Sequence, residues 1–141
     1  MPAFTLDDPR VRRILDTREV AILATVQPDG APLAVAMWYV PVEDSLVMIS
    51  VDGLRKVKNM RRDPRVSVVV EVKLGGASAC VTLQGRSEFV DDPQQRRPLV
   101  EALFRKYESA LRGRWSGREM PDDRVLFRIV PSRIFYWGPS D

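Results

Sequence analysis

Five of the eight residues from Arg55 to Arg62 are cationic: Arg55, Lys56, Lys58, Arg61 and Arg62. The run follows an apolar segment, Leu46 to Val51, and the turn pair Asp52-Gly53, so it opens a short helix at the exit of a strand. A helix N-terminus offers unpaired N–H groups and a favourable dipole to an anion, and a Lys or Arg beside it adds charge-assisted hydrogen bonds. That combination suits a phosphate. The same run also reads as an ordinary solvated helix face, or as a nucleic-acid patch diluted by Asp52, Asp63 and Glu71.

The 141 residues include no histidine and one cysteine, Cys80. Ser-His-Asp triads, Cys-His pairs, His-ligated zinc or haem and histidine general bases are therefore outside this chain's own chemistry. If the protein is an enzyme, a bound cofactor carries the reaction, or else carboxylates, Lys or Tyr do. Neither a Gly-x-Gly-x-x-Gly stretch nor a Walker loop is present, which leaves Rossmann and P-loop sites unsupported. Gly75-Gly76 reads as a plain hairpin loop, and Cys80, inside a predicted strand, as a small buried hydrophobe.

The elements that would position the basic run follow from pattern. Asp8-Pro9 starts a helix whose Val11, Ile14 and Leu15 share one face. Strands are expected over Val20–Val26, Ala31–Val40, Leu46–Val51, Val66–Val72, Cys80–Val90 and Arg124–Trp137, the first two joined by Pro28-Asp29-Gly30. Gly85 marks a bulge or a close approach. Asp92-Pro93 with Gln95 launches a helix with a core-facing stripe of Leu99, Leu103, Tyr107 and Leu111. Gly113 to Asp123 reads as an exposed loop and a candidate lid. Six strands with one main helix and no βαβ alternation predict a mostly β (α+β) fold, a six-stranded antiparallel barrel with peripheral helices.

At this length, with 45% hydrophobic residues, one domain over residues 1–141 is expected. The net charge of +3 makes too weak a field to argue for nucleic acid. Met1 to Arg10 lacks the features of a secretory signal, and the longest near-apolar stretch, Ala31 to Val42, falls short of the roughly 18 to 20 residues that cross a bilayer. The expectation is a soluble cytoplasmic protein that engages neither membrane nor nucleic acid.

The ordered set Ala24-Thr25-Val26, Asp29-Gly30-Ala31-Pro32, Met37-Trp38-Tyr39 and Arg55 to Val66, with its Lys-x-x-Asn-x-x-x-Asp-Pro-Arg spacing, precedes Gln84-Gly85-Arg86-Ser87 and an aromatic-rich last strand. This set resembles the pyridoxamine 5′-phosphate oxidase-like, FMN-binding split-barrel superfamily, in its flavin- or deazaflavin-dependent oxidoreductase branch. The resemblance implies a split barrel and a homodimer with two cofactor sites at the subunit interface. Lys56 matches the phosphate-binding lysine, Asn59 its companion on the same helix, and Ser50 a strand-end position facing the cofactor. Arg55 and Lys58 are candidates for a second basic anchor. Met37 and Trp38 would lie along the cofactor ring, with Trp137 closing the pocket from the other subunit, while Thr25 and Tyr39 would be structural.

Relatives that bind the deazaflavin often carry an arginine slightly before the lysine, where Leu54 stands here, and some subgroups use a histidine that this chain lacks. A ring that itself accepts and supplies a hydride agrees with a histidine-free chain. The implied function is hydride transfer between a bound flavin-type cofactor, deazaflavin coenzyme F(420) or FMN, and a small apolar or conjugated acceptor. Tyr136, Tyr39 or water would deliver any proton. The alternatives are a non-catalytic cofactor- or tetrapyrrole-binding protein on the same barrel, and a basic nucleic-acid-binding barrel.

Overall fold

The structure, a computed structural model, describes residues 4–112, 114–115 and 119–139, with the side chain of Leu74 excepted. The elements in chain order are α1 (Pro9–Thr17), β1 (Ala21–Val26), β2 (Pro32–Met37), β3 (Val40–Val42), β4 (Ser45–Val51), α2 (Arg55–Arg62), β5 (Arg65–Leu74), β6 (Ala77–Phe89), α3 (Pro93–Leu111) and β7 (Arg124–Trp137). Asp8 and Asp92 each cap a helix that begins with proline, accepting from the N–H of Arg10 at 3.0 Å and of Gln94 at 2.9 Å.

One antiparallel sheet takes the order β2-β1-β5-β6-β7-β4-β3. Its seven strands differ from the six expected because the run Ala31–Val40 divides. Pro32–Met37 pairs with β1, and after Trp38-Tyr39 the chain changes partner, Val40–Val42 pairing with β4. β2 and β3 stand at opposite ends of the strand order with two residues between them. A flat sheet would separate these edges by about 29 Å, at about 4.8 Å per strand, whereas the connection reaches no more than about 11 Å. The sheet must therefore curl until its edges meet, which makes it a barrel.

Leu23, Met37, Met48, Val68, Leu83 and Phe127 fill the interior, while Leu99, Leu103, Phe104, Tyr107 and Leu111 of α3 cover Val47 and Leu126 in a second core. The α3 stripe is buried as its spacing predicts. At Tyr107 the helix kinks (φ −116°, ψ 25°). The Tyr107 ring stacks on Trp38, centroids 4.6 Å apart and 5° from parallel. Its hydroxyl accepts from the Tyr39 N–H at 2.9 Å, and its own proton lies between the carbonyls of Tyr39 (2.8 Å) and Glu19 (2.7 Å). One side chain thus satisfies the backbone where the barrel edges cross. Tyr107→Phe keeps the stack and orphans the buried Tyr39 N–H. The expected cost is about 1 to 3 kcal/mol, read as a shift of the urea midpoint at unchanged slope.

Gly85 sits at the register shift between β6 and β7, where Gln84 faces Arg133 but Gly85 faces Pro131. A Cβ there would lie 2.1 Å from the Val130 carbonyl oxygen. Gly85→Ala should destabilise by about 3 kcal/mol, the upper end of ordinary overpacking, because backbone rather than a side-chain tip must move; thermal denaturation measures it. Residues 113 and 116–118 of the expected loop and lid lie outside the described residues. Within that segment Trp115 is 8% exposed and packs on Phe104, so it belongs to the second core rather than to an exposed loop. Among the described residues no helix is long and apolar enough to cross a membrane.

Candidate functional site

β4 carries the chain to Val51, Gly53 turns it at φ 81°, and α2 starts at Arg55. The N-cap is Leu54, which has no side-chain acceptor to offer. Its carbonyl takes the N–H groups of Val57 and Lys58, both at 3.0 Å, leaving those of Arg55 and Lys56 without an acceptor among the described residues. The helix is short and strongly cationic, yet it is firmly seated. Val57, Asn59 and Met60 are buried, and Asn59 Nδ2 donates to Thr25 Oγ1 of β1 at 3.0 Å, with both residues no more than 2% exposed.

The five cations of the run separate by partner. Arg55 donates to Gln27 Oε1 at 3.2 Å, Arg62 donates to the Val26 carbonyl, and the Arg61 guanidinium lies 4.1 Å from the centroid of the Phe89 ring. Lys58 is exposed. Lys56 is half-buried, meets no carboxylate and no hydrogen-bond acceptor among the described residues, and burial pushes its amine below the usual lysine range. An uncompensated cation beside two free amides is an anion site in waiting.

Arg55, Lys56, Lys58 and Asn59 thus share one helix. Ser50 lies in the strand that feeds it, 6% exposed, its hydroxyl donating to the Val51 carbonyl at 3.1 Å. The other expected ring neighbours lie elsewhere in this chain. Met37 is 5% exposed in the barrel core, Trp38 packs on Tyr107 in the second core, and Trp137 is 65% exposed at the end of β7.

The outer face of the sheet explains Trp137. Strand registers align Ile22, Val69, Thr82 and Phe135 in one row, with Glu71, Cys80 and Trp137 on one side of it and Ala24, Ser67, Gln84 and Arg133 on the other. Ile22, Val69 and Phe135 are 43%, 37% and 48% exposed, so β1, β5 and β7 each set an apolar side chain in the open, with the half-buried Thr82 of β6 between the last two. Cys80 is half-buried here rather than enclosed. A cleft of about 580 Å³ opens on the polar side, lined by Thr25, Arg65, Ser67, Gln84 and Ser132 among others. Arg65 is already engaged by Asp63 at 2.7 Å, and that guanidinium holds the Asp63 carboxyl down at about 2. Arg65 and Gln84 entered the sequence reading only through the family resemblance and not as site residues, and Ser67 not at all; the alternation of faces along β5 and β6 would have brought the three together.

A family model described as pyridoxamine 5′-phosphate oxidase matches residues 7–138. Among solved structures, a conserved hypothetical protein from Mycobacterium tuberculosis is similar at 25% identity and a TM-score of 0.79, over 97% of this chain and 88% of that one. An FAD-binding protein from Mesorhizobium loti is similar at 26% identity and a TM-score of 0.76, over 99% of this chain and 100% of that one. A haem-binding protein from Mycobacterium smegmatis shares the fold at 22% identity and a TM-score of 0.77, over 93% of this chain and 53% of that one.

Proposed function

Because the chain belongs to the pyridoxamine 5′-phosphate oxidase family, we propose that it is an oxidoreductase holding a flavin-type cofactor, FMN or the deazaflavin, to transfer a hydride to or from a small apolar or conjugated acceptor. Lys56 carries this assignment: it is a half-buried cation that meets no partner among the described residues, next to two helix amides that none of them claims. These groups fit the phosphate that FMN and the deazaflavin both bear. The FAD-binding relative from Mesorhizobium loti supports a flavin-type occupant.

The ring, when bound, supplies the redox chemistry, so the chain need only bind, orient and keep out water. Lys56 and the amides of Arg55 and Lys56 would hold the phosphate, with Lys58 adding charge at the rim. Asn59, through Thr25, fixes the helix on the barrel, so the anchor does not wander. A second copy of the chain would cover the exposed row of Ile22, Val69 and Phe135. Titration of the purified protein with FMN, the deazaflavin and haem, followed by turnover of the reduced cofactor with a panel of acceptors, tests the proposal. Tight flavin-type binding with turnover supports it. Binding of haem alone, or of cofactor without turnover, replaces it with a carrier.

A further inference from the structure

β7 has a strand on both sides only along its first half. It pairs with β4 from Arg124 to Ile129 but with β6 as far as Trp137, so its second half is an open edge. The direction of its backbone groups follows from β6. The Ser87 N–H donates to the Pro64 carbonyl at 2.8 Å and the Ser67 hydroxyl to the Leu83 carbonyl at 3.1 Å, so the odd-numbered residues of β6 turn their backbone toward β5. The even-numbered ones turn toward β7, where Gln84, Thr82 and Cys80 face Arg133, Phe135 and Trp137. The N–H and C=O of Ile134 and Tyr136 therefore point off the open edge, and no described residue meets them.

This edge borders a cleft of about 760 Å³, lined by residues 130–136 of β7 and, opposite, by Phe4, Leu6 and Asp44. The Ile134 side chain is 9% exposed in the barrel core, so its backbone faces the cleft. Proline and charge are the usual guards of an edge, and here only Pro131 and Arg133 supply them. Asp44 and Arg133 carry opposite charges, which leaves the lining neutral. Two donor–acceptor pairs set two residues apart repeat at about 6.6 Å, the period of an extended chain, whereas a small ring reaches one pair. We infer that this cleft takes an extended, uncharged peptide segment of a partner protein, which adds to the sheet as a strand beside Ile134 and Tyr136 and lays its apolar side chains along Phe4, Val130 and Pro131. The edge groups lie in the plane of the sheet, whereas the row of Ile22, Val69 and Phe135 stands off its outer face.

NMR-detected amide exchange on the full chain tests this, with a terminally blocked hexapeptide of alternating valine and threonine as the probe. In the free protein the amides of Ile134 and Tyr136 should exchange at least tenfold faster than those of Arg133 and Phe135. Saturating peptide should slow those two at least tenfold. The same peptide N-methylated at every residue, which keeps its side chains and loses its donors, should leave them fast. Equal exchange at all four amides in the free protein, no slowing by the peptide, or equal slowing by its N-methylated form overturns the inference. Slowing that grows with protein concentration in the absence of peptide also overturns it, by giving the edge to a second copy of this chain.

Discussion

Lys56→Met should weaken binding of a flavin-type cofactor by tenfold or more, about 1.5 kcal/mol or above, the scale of a hydrogen bond to a charged group. The fold should survive the change. Methionine keeps an apolar stem of similar length and removes a charge that the folded chain holds partly out of water, with nothing to neutralise it among the described residues. The pH dependence follows from the same displacement. A lysine whose amine is lowered by burial carries its folded-state penalty while it is charged, and that penalty is relieved as pH rises through the lowered value. A bound phosphate reverses the preference and restores the charge. Cofactor affinity should therefore be fullest at pH below the lowered amine value of the free protein, and fall as pH climbs through it. In Lys56→Met that slope should be gone. Fluorescence titrations across pH measure both effects, and a folded variant binding as tightly as wild type moves the anchor off the first turn of α2.

Helix α2 could be read to its observed bounds because Val57 and Met60, three apart amid charge, admit a single buried edge, and Asp63-Pro64 ends it. Lys56 was visible by type and position. What sets it apart from its four cationic neighbours was not, since the partners of Arg55, Arg61 and Arg62 lie on β1, the turn after it and β6, at long range in the sequence. Likewise the break at Trp38-Tyr39 leaves no mark, because Trp38, Tyr39 and Val40 are all β-forming residues and a change of strand partner is a tertiary event. β5 hid its two faces by placing valine on both: Val66, Val68, Val70 and Val72 are buried, while Val69 is 37% exposed. Tyr107 read correctly as a stripe residue, yet spacing cannot announce that its hydroxyl serves Tyr39, 68 positions away.

Phe135→Lys should abolish dimer formation and cofactor binding together. The open row of Ile22, Val69, Thr82 and Phe135 is contiguous across β1, β5, β6 and β7, and a monomer seldom leaves such a band to water. A specific interface buries roughly 800 Å² on each partner. That is more than these four side chains present, so a covering copy must also reach the flanking rows that hold Gln84, Cys80 and Trp137. A two-fold contact is self-complementary, and one substitution therefore sets two new charges into the same interface. Like charges placed there cost several kcal/mol, enough to shift a micromolar dimer to monomer at working concentrations. Phe135 is 48% exposed within its own chain, so the folded monomer loses little packing, and a melting curve confirms that it remains folded. Sedimentation velocity and cofactor titration on one preparation read the two effects side by side. A monomeric variant that keeps its cofactor affinity would place the whole site within one chain. A wild-type protein that is dimeric and binds no flavin-type cofactor would keep the interface and remove the oxidoreductase.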